Sequence, residues 1–253
     1  MERELIAAVD GVTYHIISSG KLRRYHSWQN FLDPFRVLKG IGQSKRLMRQ
    51  LAPDVVFSKG GFVSVPVVMA AGKTPVIAHE SDYTPGLSNR LASRFTDRVC
   101  VTFEDTLAHV PGHKGVFTGT PIRPELYRGD RARALAFTGL SGGKPVILCM
   151  GGSLGAQRLN ELLRAALPQL LKTYDVVHLC GRGKLDASIC RDGYVQYEYI
   201  TSELPDLLAL ADVVLSRAGA NAVFGLLALN KPAVLVPLTA ASTRGDQLLN
   251  ARY

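Results

Sequence analysis

Two rhythms of apolar and polar residues alternate along this chain. Short runs rich in valine and isoleucine recur between stretches whose apolar residues fall three or four apart, the pattern of strands alternating with amphipathic helices in a parallel sheet. Strands are expected at VTYHII (12–17), DVVFS (54–58), PVIAH (75–79), RVCVT (98–102) and GVFTG (115–119). A second series is expected at PVILCM (145–150), VVHLC (176–180), YVQYE (194–198), VVLS (213–216) and AVLVP (233–237). Between the series lies TGTPIRPELYRGDRARALAFTGLSGGK, polar and rich in Pro, Gly and Arg. This tract predicts a link plus a short helix, with domains at 1–130 and 131–253. The fold class is α/β, as two Rossmann-like parallel-sheet domains facing a cleft.

Glycine turns sit where such a fold puts its ligands, after the carboxyl ends of strands. SKGGFVSVP, HESDYTPGLSN, GGSLGAQ and SRAGANAV each follow a predicted strand. In CMGGSLGAQRLNELL the turn opens a helix with apolar Leu159, Leu162 and Leu163. Glycines let the backbone approach a ligand, and helix N-termini attract anions, so the turn suits a phosphate. Gly151, Ser153 and Gly155 also spell the G-x-S-x-G elbow of serine hydrolases. The residues that follow oppose that second reading. His178 is the one histidine after Ser153; of the two acids between them Glu161 lies on the predicted helix, and Asp175 lies three residues from His178 at the start of the same predicted strand. Alternation puts the two on opposite faces, where no acid–imidazole hydrogen bond forms. A plain β–α connection is the third reading. The second copy, SRAGANAV, favours the phosphate, because two helix N-termini then flank one crevice. Asn221 and Gln247 are polar groups suited to hydroxyls, and a capping or surface role serves Asn221 equally well.

Composition narrows the classes. With 47% hydrophobic residues the chain has material for packed cores. No apolar run approaches the roughly 18–20 residues of a membrane span, and the start lacks a secretory pattern. Cys100, Cys149, Cys180 and Cys190 form no C-x-x-C pair, so core thiols in a reducing cytoplasm are expected, with no zinc site or disulfide. No acidic pair of the D-x-D kind stands at a strand end, and no metal or cofactor is expected. The formal charge of +9 is concentrated: between Gly20 and Gln50 eight basic residues stand against Asp33 alone, interleaved with Trp28, Phe31, Leu32, Phe35, Val37 and Leu38. Cations beside aromatics suit an anionic membrane surface, while a solvated basic face over a packed helix is the plainer alternative. No nucleic-acid motif accompanies the charge, and nucleic acid is not an expected partner.

SKGGFVSVP, HESDYTPGLSNR, GTPIR, MGGSLGAQRLN, YITSELPDLLALADVVLSRAGANAV and STRGDQLLNA together resemble the MurG-type UDP-N-acetylglucosamine transferases, over essentially the whole chain and in the same order. The resemblance implies a GT-B fold and work at the inner, cytoplasmic face of the cell membrane as a peripheral protein. It implies transfer of GlcNAc from UDP-GlcNAc to muramoyl-pentapeptide on undecaprenyl diphosphate, by inverting displacement without a metal. Gly152, Ser153, Leu154 and Gly155 would hold the donor diphosphate. Thr201 would meet the uracil edge and Leu204 its face, with Gly219, Ala220 and Asn221 at the second helix start. Arg123 would sit near the diphosphate and sugar, Gln247 near sugar hydroxyls, and Asp82 and Asn89 near the GlcNAc and acceptor. His79 and Glu80 are the titratable candidates for the base, and a strand-end structural role competes for each. The basic aromatic stretch corresponds to the family's membrane-facing region.

Three departures accompany the resemblance. The family's opening strand and G-G-T-G-G-H loop have no counterpart before Val12, the chain stops at Tyr253 within an expected helix, and Gly225 stands where the family carries a ribose-binding glutamate. The first two lead to the expectation of a transferase truncated at both ends, with little turnover and marginal stability. A non-catalytic nucleotide-sugar-binding paralogue or membrane-associated subunit is the contrasting expectation, and another GT-B enzyme a third.

Overall fold

The computed structural model describes residues 6, 9–20, 29–152, 155–238 and 245–253, and the side chains of all of these except 29–32. The chain divides into two units, Met1–Gly119 and Thr120–Tyr253. The division falls before the Pro- and Arg-rich segment, which the sequence reading assigned to the first domain as far as residue 130. That segment is anchored in the second unit: the Asp130 amide donates to Asp206 Oδ1 at 2.7 Å, and Gly129 lies so close to the Pro205 carbonyl that a Cβ would meet it at 2.1 Å.

In the first unit, helix α1 (Gln29–Leu51) precedes strand β1 (Val56–Ser58), helix α2 (Ser64–Ala70), strand β2 (Val76–Glu80), helix α3 (Leu87–Ala92), strand β3 (Arg98–Val101) and strand β4 (Gly115–Phe117). The four strands form one parallel sheet in sequential order, β1-β2-β3-β4. Val56, Val68, Val76 and Ala92 make its small core, joined by Met48 of α1. Four strands fall where the sequence puts them; the fifth, expected at 12–17, does not form. Residues 12–20 run without regular structure, with Ile16 73% exposed. They lie against α1 instead of a sheet edge. The Ser18 amide donates to Gln43 Oε1 at 2.7 Å, and Gly40 packs on the Ser18 carbonyl. Alternation at Val12, Tyr14 and Ile16 resembles a half-buried strand, but a strand needs a ladder partner.

The second unit contains helix α4 (Arg131–Thr138), strand β5 (Val146–Met150), helix α5 (Gln157–Leu170), strands β6 (Asp175–Leu179) and β7 (Tyr194–Tyr197), helix α6 (Leu204–Leu210), strand β8 (Val213–Ser216), helix α7 (Ala220–Ala228), strand β9 (Ala233–Leu235) and helix α8 (Asp246–Arg252). Its sheet is parallel throughout, in the order β7-β6-β5-β8-β9. Alternating residues of β5 feed two cores: Val146 and Leu148 pack with Leu207, Leu210 and Leu226 on one face, and Cys149 with Leu159, Leu163 and Leu167 of α5 on the other. The leucines recur every fourth residue, so they share a helical face, and each contributes on the order of 2 kcal/mol by burial. Leu162, expected among the apolar positions of this helix, is 48% exposed. Two parallel α/β units of this kind are the architecture the sequence implies.

The strand order matters for function. From β5 the chain moves outward to β6 and β7, then returns through α6 to β8 on the other side of β5. The reversal leaves a crevice at the carboxyl ends of β5 and β8, where open α/β sheets bind ligands.

Candidate functional site

That crevice is occupied by a cavity of about 640 Å³. Gly151, Gly152, Gly155 and Gln157, which follow β5, form one wall, and Ser216, Arg217, Gly219 and Ala222, which follow β8, form another. Glu198, Tyr199, Ile200, Thr201 and Leu204 close a third side, and Arg123, Leu238 and Gln247 complete the lining.

The turn after β5 demands glycine for two different reasons. Gly152 has φ +85°, a left-handed conformation that side chains disfavour. Gly155 combines φ +67° with a close approach: a Cβ there would meet the Cys180 carbonyl oxygen at 2.0 Å. The Gly155 amide donates to the Gly152 carbonyl at 2.9 Å, closing the turn. Helix α5 then starts at Gln157 with no side-chain cap and no acid in its first turn. Helix α7 repeats this: Gly219 is its N-cap, with no side-chain cap and no acid in the first turn. An acid at either position would satisfy the amides and oppose an anion; leaving both uncapped preserves two positive dipole ends for a negatively charged ligand.

Two cations border the cavity. Arg217 is held by the strand-end backbone, donating from Nη1 to the Val236 carbonyl at 3.0 Å, while its Nε is buried without a hydrogen-bond partner. Arg123, exposed, precedes the 3-10 turn Pro124–Arg128. Gln247 is oriented by its carbonyl, which accepts the Leu238 amide at 3.0 Å. Beside the third wall, the Arg182 guanidinium lies 5.1 Å from the Tyr199 ring centroid.

Of the residues singled out in the sequence, Arg123, Gly152, Gly155, Thr201, Leu204, Gly219 and Gln247 converge on this one cavity. Ser153 and Leu154 lie outside the described residues. Ala220 and Asn221 occupy the first turn of α7 without being part of the lining; Ala220 is buried, and Asn221 Oδ1 accepts from Thr120 Oγ1 at 3.4 Å. Arg217, Glu198, Tyr199 and Ile200 were not singled out. Their one signal is position, at or just past the carboxyl end of a strand.

Asp82, Asn89, His79 and Glu80 belong to the first unit, where the turns after β1 and β2 are knitted together. Lys59 Nζ donates to Ser81 Oγ at 2.7 Å and lies 2.7 Å from His79 Nδ1. His79 Nε2 lies 3.1 Å from the Gly119 carbonyl. A carbonyl only accepts, so Nε2 carries the proton and Nδ1 receives the Lys59 donor. Burial holds the His79 ring below the usual imidazole range, with Lys59 adding to the effect and the Gly119 hydrogen bond opposing it. Burial likewise lowers Lys59, against the pull of Glu80 and Asp82. Glu80 is 5% exposed and accepts three donors: the Asp82 amide, the Gly86 amide and Asn89 Nδ2. In this arrangement His79 uses both ring nitrogens and Glu80 holds three donors, so both act as hubs of the turn. Among the described residues no group of three histidines, cysteines or acids is placed to hold a metal ion.

Helix α1 exposes Phe35 and Leu38 beside Lys39, Lys45, Arg46 and Arg49, and Arg36 pairs with Asp33 at 3.2 Å. Lys21, Arg23, Arg24 and Trp28 lie outside the described residues, and nothing is described of the side chains of Phe31 and Leu32. No helix among the described residues is long and apolar enough to cross a membrane.

Comparison with known proteins supplies the family. Residues 1–101 match the Glycosyltransferase family 28 N-terminal domain, and residues 146–253 the Glycosyltransferase family 28 C-terminal domain. A UDP-N-acetylglucosamine--N-acetylmuramyl-(pentapeptide) pyrophosphoryl-undecaprenol N-acetylglucosamine transferase of Geobacillus thermodenitrificans is 53% identical, covering 100% of this chain and 72% of the relative. The protein of the same name from Lachnoclostridium phytofermentans is 57% identical, covering 99% of this chain and 71% of its own length. The crystal structure of MurG from Acinetobacter baumannii aligns at TM-score 0.67 and 29% identity, over 100% of this chain and 70% of that one.

Proposed function

The chain belongs to the MurG group of glycosyltransferase family 28, and on that premise we propose how its cavity serves the transfer of N-acetylglucosamine from UDP-GlcNAc to N-acetylmuramyl-(pentapeptide) pyrophosphoryl-undecaprenol. It is a hexosyltransferase of peptidoglycan synthesis. The observation that carries the site assignment is the cavity at the β5/β8 reversal, edged by two uncapped helix N-termini.

In this reading the diphosphate of the donor lies across the starts of α5 and α7. Uracil meets the Ile200–Thr201 backbone and the Leu204 side chain, and Gln247 serves the sugar hydroxyls. The acceptor oxygen forms its bond to the anomeric carbon as the bond to the UDP oxygen breaks, and a base takes the hydroxyl proton. The electron pair leaves on UDP, where the two helix starts, Arg123 and Arg217 meet the growing charge. The reaction uses no cofactor besides the donor and no metal ion, so turnover should persist in a chelator. Asp82 and Asn89 serve the acceptor side.

The protein works as a peripheral protein at the cytoplasmic face of the cell membrane. The exposed Phe35 and Leu38, set among the cations of α1, support this placement, because apolar rings seated at the acyl boundary reinforce the attraction of nearby cations to anionic headgroups. Its partners are the donor, the lipid-linked acceptor and that surface, with no nucleic acid.

Titration calorimetry with UDP tests the assignment. Saturable binding that weakens about tenfold in Arg217→Ala is expected; absence of UDP binding to the wild-type chain would overturn it. Sedimentation with vesicles tests the surface: retention on anionic but not neutral vesicles is expected, and equal recovery from both counts against it.

A further inference from the structure

Behind the glycine turn lies a polar group that the transfer reaction does not use. His178 is fully buried in β6, and its ring bridges two side chains: Nε2 lies 3.0 Å from Asn160 Oδ1 and Nδ1 lies 2.9 Å from the Tyr194 hydroxyl. Asn160, also fully buried, interrupts the apolar stripe of α5. Its Nδ2 donates to the Cys180 carbonyl at 2.7 Å, which makes its oxygen the acceptor. His178 Nε2–H therefore donates to Asn160, and in the neutral ring Nδ1 accepts from the Tyr194 hydroxyl, whose oxygen also lies 3.4 Å from Gln196 Oε1. The imidazole is a neutral, single tautomer.

The chain of bonds ends at the cavity wall. The Cys180 carbonyl that Asn160 holds is the atom against which Gly155 packs. Lys184, on the same loop after β6, donates from Nζ to the Gly155 carbonyl at 3.2 Å, and Arg164 of α5 ties that loop back by donating to the Lys184 carbonyl at 2.6 Å. A fully buried asparagine in a leucine stripe carries a desolvation cost that an apolar residue avoids; its return here is a fixed height for the Cys180 carbonyl.

We infer that His178 and Asn160 are positioning residues for the phosphate turn: the imidazole sets the rotamer of Asn160, Asn160 sets the Cys180 carbonyl, and that carbonyl sets Gly155 and the start of α5. The inference rests on the donor-site reading above. Burial also drives the His178 ring down to about 4, with Arg164 adding to the effect, so the neutral tautomer persists across the working pH range.

Three variants separate this role from simple packing. His178→Gln places an amide donor where Nε2–H lies; His178→Asn reaches only the Nδ1 position; Asn160→Leu fills the stripe with an apolar residue. UDP affinity is measured by calorimetry on each full chain, with the unliganded melting temperature as the control. Expected are UDP dissociation constants raised about tenfold in His178→Asn and Asn160→Leu and within about threefold of wild type in His178→Gln. Asn160→Leu is expected to lose affinity even if its melting temperature is unchanged or raised. If all three bind UDP like wild type while only the melting temperature moves, the residues are packing elements and the inference falls. If one variant does not fold, the other pair decides by the same rule. Failure of the wild-type chain to bind UDP would instead overturn the donor-site reading.

Discussion

The turns after β1 and β2 in the first unit and those after β5 and β8 in the second draw on the same residue types: glycine, a small hydroxyl residue and a cation. They reach opposite states. In the first unit most of these polar groups are paired with one another: Lys59 serves His79 and Ser81, and Glu80 takes three donors, with the buried Asn89 Oδ1 left over. In the second, no side chain caps α5 or α7, Arg217 keeps a buried unpaired Nε, and a cavity of about 640 Å³ separates the walls. A closed polar network fixes a loop, whereas one left open at its centre binds a ligand. The lesson is that titratable residues at a strand end do not by themselves mark chemistry; what matters is whether their hydrogen bonds are already used.

The comparison breaks most severely at Gly155. A Cβ at that position faces the Cys180 carbonyl at 2.0 Å in a left-handed backbone. Gly155→Ala is expected to abolish measurable UDP binding and to lower unfolding free energy by about 2–4 kcal/mol, read by calorimetry and denaturant unfolding. Retained affinity would mean that the turn after β5 yields easily and does not set the site.

Glu80→Ala is the counterpart in the first unit. It leaves the Asp82 and Gly86 amides and Asn89 Nδ2 without their acceptor. Stability should fall by about 2–3 kcal/mol while UDP affinity stays within about twofold. A large loss of UDP affinity would show that the two networks are not independent.

Much of this contrast was legible in the sequence, and the reasons differ by residue. Strands in a parallel sheet are continuous apolar runs closed by glycine or proline, so each of β1 to β9 coincides with an expected run. The run 12–17 misled because alternation records a preference for one buried face, and α1 supplies that contact as well as a sheet does. Gly152 and Gly155 were visible because glycine is the residue such backbone angles demand. Arg217 and Tyr199 were not, since they reach the cavity only through the order β7-β6-β5-β8-β9, which spacing along the chain does not encode. His178 and Asn160 are 18 residues apart on different elements. His178 drew notice only as a failed triad member, and its actual partners lie across the α5-facing core.

Gly225 sharpens the comparison from the other side. It lies within α7 in the second unit, and a Cβ there meets nothing within 4 Å. The resemblance places a ribose-binding glutamate at this position, and the helix has room for one. Gly225→Glu is expected to tighten UDP binding about tenfold, through a charge-assisted hydrogen bond worth roughly 1.5 kcal/mol, and to add up to about 1 kcal/mol of stability by removing a helical glycine. Unchanged affinity with raised stability would mean that ribose does not lie against this turn of α7.

The last expected effect concerns pH, and it tests what the two regions share. His79 and His178 are both held neutral by burial. Their unfolded forms take up a proton near the ordinary value of 6.5, while His178 in the folded chain resists until about 4. As pH falls through that window the unfolded state binds more protons, so the stability His178 supplies is complete above 6.5 and declines toward 4, and His79, also lowered by burial, contributes in the same direction. The slope is at most about 1.4 kcal/mol per pH unit for each group. In His178→Gln the decline between pH 6.5 and 4 should flatten by nearly one proton, measured by unfolding at a series of pH values. His79→Gln should flatten it less, because the Gly119 carbonyl favours the protonated ring and offsets part of the burial. Equal flattening in both would mean that the first unit's network is as dry as the buried core behind the phosphate turn, and the distinction between a loop-fixing hub and a core positioning group would lose its electrostatic basis.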